Sequence, residues 1–209
     1  MRKALPCVLM MALLLTACGG GRQAAAEELA HRVREEYASL PGWTGVMEVT
    51  ADYGDSVYDF TLDVVWRREG DTVLTVTAPE LIAGVTARVG QEGAFLEYDG
   101  ASLGTGPLTG DGLSPLELVP RMMGELLTGY MAACDYEREG ESVLLRVVCR
   151  DPDRMEGEGA QWALYFDPDS HGLRRVEVSD GGVMVLTARL TSFAKDAISD
   201  DDGDGEGMG

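Results

Sequence analysis

The chain has 209 residues, with 17 lysines and arginines against 36 aspartates and glutamates, for a formal charge of −19. Such a surface repels nucleic acid and anionic headgroups, which excludes charge-driven binding to either. Partners are expected among basic proteins, divalent cations or apolar ligands, and at 7% aromatic residues a large cavity would be lined mainly by aliphatic side chains.

Met1-Arg2-Lys3 is a basic start, and residues 4–15 form an apolar run. That run is shorter than the roughly 20 residues of a membrane-spanning helix, but it has the length of a signal-peptide core. Leu15-Thr16-Ala17-Cys18 follows and matches the bacterial lipobox, in which the cysteine takes a diacylglycerol thioether and becomes the new N-terminus. Residues 1–17 therefore read as a lipoprotein signal peptide and Cys18 as the lipidation site. Residues 18–23, rich in glycine, read as a lipidated tether reaching about 20–25 Å. The domain is expected outside the cytoplasm, anchored by lipid to the cell membrane. Residues 196–209 are acidic and glycine-rich with no packing pattern, so a disordered tail is expected there.

The folded part, residues 24–195, opens with a helix over 24–40 that carries Leu29, Val33, Tyr37 and Leu40 on one stripe and stops at Pro41-Gly42. A strand over 43–53 pairs across Gly54-Asp55 with one over 57–66. In the latter, Tyr58, Phe60, Leu62, Val64 and Trp66 face one way and Asp59, Thr61 and Asp63 the other. Strict alternation marks a half-buried antiparallel strand. Further strands read at 72–78, 85–89, 94–98 and 102–108. Ser114-Pro115-Leu116-Glu117 is a capping box that starts a helix to about residue 131, with Pro120 kinking it or beginning a second short helix. Leu116, Val119, Met123, Leu126, Leu127 and Tyr130 form its apolar face. Strands resume at 132–139, 143–150, 160–167, 173–178 and 183–193.

With Cys7 in the signal peptide and Cys18 lipidated, Cys134 and Cys149 remain. A hairpin centred on Glu141-Ser142 would set them opposite each other on the apolar face, where a structural cross-strand disulfide can form in an oxidising compartment; two buried free thiols are the alternative. His31 and His171 have no metal-ligand spacing around them and read as surface residues. There is no nucleophile elbow and no phosphate-binding glycine loop. The chain is read as a non-enzyme with no catalytic residues, no metal and no cofactor.

Helix, strands, helix, strands gives an α+β fold: a curved antiparallel sheet of about eleven strands, unclosed, with an N-terminal helix and a central helical lid. This layout, with "TAPELIAGVTARVGQEGAFLEYDGASLGTGPL" as middle strands and "WALYFDPDSHGLRRVEVSDGGVMVLTARLTSF" as closing hairpins, resembles the bacterial lipoprotein-carrier superfamily of LolA/LolB-like half-barrels. The lipid anchor and central cysteine pair lean toward its Gram-positive, germination-lipoprotein (GerS-like) branch. The resemblance implies a lipid-anchored binding protein that holds an acyl chain or lipoprotein lipid, with Tyr58, Phe60, Leu62, Val64, Trp66, Met123 and Leu127 lining the cavity. The alternative it implies is a regulatory lipoprotein that binds and activates a cell-wall (spore-cortex) amidase. The expected partners are thus the membrane through the anchor, and an apolar ligand or a cell-wall enzyme. The exposed edges of an open sheet leave room for a homodimer. Of the glycine-rich loop "LGTGPLTGDGLSP", only Leu103, Leu108 and Leu113 could engage a membrane.

Overall fold

Alternating hydrophobicity makes the strands, and paired turn residues set their order. The computed structural model describes residues 20–90, 93–106 and 114–195. Cys18, the signal peptide, the acidic tail, Leu108 and Leu113 lie outside the described residues. The first half of the described chain runs α1 (Gly20–Ser39), β1 (Gly42–Asp52), β2 (Val57–Arg67), β3 (Thr72–Ala78), a short 3-10 turn (Glu80–Ile82), β4 (Thr86–Gly90), β5 (Gly93–Tyr98) and β6 (Ala101–Gly106). The second half runs α2 (Leu118–Thr128), β7 (Met131–Glu139), β8 (Ser142–Arg150), β9 (Ala160–Phe166), β10 (Leu173–Asp180) and β11 (Val183–Lys195).

All eleven strands form one sheet in the order β6-β5-β4-β3-β2-β1-β11-β10-β9-β8-β7. Every neighbouring pair is antiparallel. Pairing of β1 with β11 joins two hairpin series at the middle of the sheet. The edges are β6 and β7, the strands on either side of α2, so the sheet does not close. Register shifts at Val46/Met47, Thr61/Leu62 and Val178/Ser179 mark bulges, which bend a strand and deepen its twist. This is the α+β half-barrel expected from the sequence.

Both helices pack on one face of the sheet, here called the inner face. Ala26, Leu29, Ala30, Val33 and Tyr37 recur along α1 at three- and four-residue spacing, and all are buried. From α2, Leu118, Val119, Met122, Met123 and Leu126 join the same core as Trp43, Met47, Val64 and Trp66. Full burial of each leucine, valine or methionine among them contributes about 1.5–3 kcal/mol. A smaller cluster, Leu144, Val148, Ala163 and Tyr165, occupies the outer face of β8 and β9. The Arg175 guanidinium covers part of it, 3.9 Å from the Tyr165 ring centre.

Three sequence expectations need correction. α1 begins at Gly20, so most of the tether expected over 18–23 is helical; Gln23 donates to Glu27 one turn on, at 3.1 Å. Ser114 opens a turn and not the helix, accepting the Leu116 and Glu117 backbone N–H groups on its Oγ and carbonyl oxygen. Helix α2 starts at Leu118 and runs unbroken to Thr128, which puts Pro120 in its first turn, where a missing N–H costs nothing. The third correction concerns the β7–β8 hairpin. It turns through Gly140, at φ 61°, and Glu141, with Glu139 opposite Ser142. The register therefore differs by two residues from the one expected: Cys134 lies opposite Val147 and Cys149 opposite Met131.

Candidate functional site

The helices cover only part of the inner face. Across β2 to β5, Leu62 stands opposite Val76, Leu74 opposite Ala87, and Ala87 opposite Leu96, a row of aliphatic side chains on one face. The connection after β3 folds over one side of this row. Its path is held by Val76, which donates to the Val85 carbonyl at 2.9 Å and accepts from the Gly84 N–H at 2.8 Å. That places Ile82 and Val85 as one wall, while Pro115 and Leu116, leading into α2, form another. The space between them is about 280 Å³, and among the described residues every side chain that lines it is a hydrocarbon.

The cavity wall continues to the surface through aromatic rings. Phe60 lines the cavity, its ring 6.4 Å from that of Tyr58, which is 6.3 Å from that of Tyr53. Tyr53, Tyr58 and Tyr98 are half exposed and Leu81 is 91% exposed, all at the same end of the sheet. A buried row of aliphatics opening onto a lip of aromatic and aliphatic groups can take a hydrocarbon chain. Among the described residues its lining offers no side-chain donor, acceptor or titratable group to a headgroup or a reacting bond.

Of the lining residues expected from sequence, Phe60 and Leu62 are at this cavity and Tyr58 is at its lip. Val64, Trp66 and Met123 do not line it: they are buried in the main core, and Leu127 is half buried against that core. Leu74, Val76, Ala87 and Leu96 are the residues sequence reasoning missed. Their strands are legible in the sequence, and alternation with Thr75, Thr86 and Glu97 places them on one face.

The remaining candidates are structural. Cys134 and Cys149 are free thiols, both buried, and not the expected disulfide, in keeping with a register that does not set them opposite each other. Burial, followed by the charges of Glu27 and Asp135, pushes the Cys134 thiol up to about 11; burial pushes Cys149 up to about 12. His171 is no ordinary surface residue. Its Nδ1 is 2.5 Å from a carboxylate oxygen of Glu36, whose other oxygen accepts from Lys195 at 2.5 Å. Lys195 also donates to the Ser170 carbonyl at 2.7 Å, and Tyr37 donates to that of His171 at 3.0 Å. These contacts fasten the end of α1 to the β9–β10 turn and the end of β11. His31 is exposed and lines a second cavity of about 650 Å³ between α1 and β7, of mixed polar and apolar lining. Among the described residues no group of three or more metal-ligating side chains converges, and no helix is long and apolar enough to cross a membrane.

No protein-family model matches the sequence, and no curated protein does. Among solved structures, the chain is similar to an uncharacterized conserved protein of Thermus thermophilus, at 12% identity and a TM-score of 0.48, over 84% of this chain and 90% of that one. It is similar to a LolA-superfamily protein of Nitrosomonas europaea, at 9% identity and a TM-score of 0.41, over 84% and 95%. A third likeness is to the structure of the CwlD amidase of Clostridioides difficile in complex with the GerS lipoprotein, at 17% identity and a TM-score of 0.39, over 80% and 94%. The half-barrel architecture itself stands on the strand order and helix placement described above.

Proposed function

We propose that the protein is a lipid-anchored extracytoplasmic binding protein that holds the hydrocarbon part of a ligand, an acyl chain or lipoprotein lipid, between β2–β5 and the start of α2. One observation carries the reading: a cavity of about 280 Å³ whose described lining is hydrocarbon throughout, in a chain that is otherwise strongly acidic. Pockets of this kind hold apolar ligands by surface burial, and here the head of the ligand stays at the lip. The reading assigns no catalytic role to any residue. A fluorescent long-chain fatty acid is expected to bind saturably to delipidated protein and to be lost in Leu62→Asp and in Leu96→Asp. Absence of binding to the folded wild type would overturn the reading. Anchoring through Cys18 is tested separately, since Cys18→Ser is expected to move the protein from the membrane to the soluble extracytoplasmic fraction.

A second reading draws on the other half of the inner face, which α1 and α2 cover, with Trp162, Met122 and Met123 buried. A largely self-filled interior suits a non-enzymatic regulatory lipoprotein that binds and activates a cell-wall (spore-cortex) amidase. Under that reading the fatty acid does not bind, and a purified cortex amidase gains activity when the protein is added.

A further inference from the structure

Among the described residues β7 pairs with β8 alone, and it forms one edge of the sheet. An edge strand presents N–H and C=O groups in the pattern that another extended main chain satisfies. Its side chains are sorted by face. On the inner face Cys134 and Tyr136 border the second cavity of about 650 Å³, which Asp135 also borders and which α1 completes with Arg22, Gln23, Glu27 and His31. On the outer face stand Asp135, Glu137 and Glu139, three acids at successive outward positions.

Among the described residues, each of these carboxylates is paired by arginines of the sheet. Arg146 reaches Asp135 at 3.0 Å, Arg175 reaches Glu137 at 2.6 Å and Glu139 at 3.3 Å, and Arg189 reaches Glu139 at 2.8 Å. Asp135 and Glu137 keep 47% and 40% of their side-chain surface exposed. A carboxylate has about four acceptor positions, so both can take a further cation from the side where no strand lies. Directly opposed charges of opposite sign favour a strand pair, and like charges oppose it.

We propose that the β7 edge is a docking site for an extended polypeptide segment of alternating character, with lysine or arginine on the outer face and apolar residues toward the Ala133, Cys134 and Tyr136 side of the second cavity. The site lies at the opposite end of the strand order from the apolar cavity, and it stands or falls independently of the lipid reading. The occupant is a basic strand because the edge supplies main-chain pairing and its outer row supplies only negative charge.

The test uses a capped peptide, Lys-Val-Lys-Val-Lys-Val-Lys, and its glutamate counterpart, added to the full chain while amide hydrogen exchange is followed. The lysine peptide is expected to slow exchange along β7, and the glutamate peptide is not. Replacing Asp135→Lys together with Glu137→Lys is expected to reverse that preference. The milder pair Asp135→Asn and Glu137→Gln is expected to weaken lysine-peptide binding about four- to twenty-five-fold, at about two- to five-fold per charge pair. No protection of β7 at millimolar lysine peptide would overturn the proposal and leave the acids as guards against edge pairing. Equal protection by both peptides would overturn it as well.

Discussion

The guanidinium of Arg34, on α1, donates from Nε to the carbonyl oxygen of Leu126 and from Nη2 to that of Gly129, each at 2.7 Å. Those two acceptors belong to the last turn of α2 and the residue that caps it. Carbonyls at a helix C-terminus have no partner within the helix, and a cation is favoured there by the helix dipole. One side chain therefore satisfies the end of the second helix and fixes its position against the first. Replacing it by methionine keeps the apolar stem and removes both bonds. Arg34→Met is expected to destabilise the protein by about 1.5–3 kcal/mol, read as a lower urea midpoint. Arg34→Lys is expected to recover only part of this, because an ammonium cannot present the guanidinium fork. An unchanged midpoint in Arg34→Met would contradict the assignment.

The contacts of Glu36 give stability a pH dependence. Burial acts to raise its pKa, but hydrogen bonds from Lys195 and His171, with their charges, hold it below the ordinary 4.5. Asp167 also lies below its ordinary 3.8, chiefly through the Ser170 backbone N–H. A carboxyl with a lowered folded pKa contributes stability that is complete above the unfolded value and is lost as pH falls through the folded one. The wild type is therefore expected to lose more stability than Glu36→Gln between neutral pH and about pH 3. Parallel pH profiles for the two proteins would show that Glu36 does not hold the end of α1.

Both buried thiols should be inert in the native state. The thiolate is the reactive form, and burial keeps Cys134 and Cys149 protonated with values of about 11 and 12. Alkylation by iodoacetamide near pH 8 is expected to be slow in the folded protein and fast in denaturant. Native labelling as fast as that of the unfolded chain would contradict the buried placement.

Ala87 lies 3% exposed in the aliphatic row across the cavity. Ala87→Phe is expected to place a ring in the open space, block the fluorescent fatty acid and leave folding intact, since void space takes added volume that a packed core refuses. At the lip, Leu81→Asp is expected to change stability by less than about 0.5 kcal/mol, because Leu81 is 91% exposed, yet to slow ligand entry. Fatty-acid binding that survives Ala87→Phe would place the ligand elsewhere.

The strands were legible because each carries a period of two between turn pairs that end it, as in Val57–Arg67 with Tyr58, Phe60, Leu62, Val64 and Trp66 on one face. The break between six and five strands was legible in the proline- and methionine-rich stretch that became α2. The β7–β8 register was not, because the glycine that takes the turn, Gly140, sits one residue before the Glu141-Ser142 centre the sequence suggested. The cavity was only half legible. Alternation tells which residues face inward, and it placed Phe60 and Leu62 correctly on that face. Which inward residues the helices cover is a tertiary matter: Val64 and Trp66 are buried in the main core, while Leu74, Val76 and Leu96 line the cavity. The bonds of His171 to Glu36 join residues far apart in sequence, and no local pattern announces them.

The most direct test of the apolar-ligand account is native mass spectrometry of the chain from Gly20 onward, purified without detergent from a bacterial extracytoplasmic space. The account predicts a lipid-sized adduct on the wild type that is absent from Ala87→Phe, with the two proteins otherwise equally folded. A wild type of bare polypeptide mass that also fails to take up added fatty acid would contradict it.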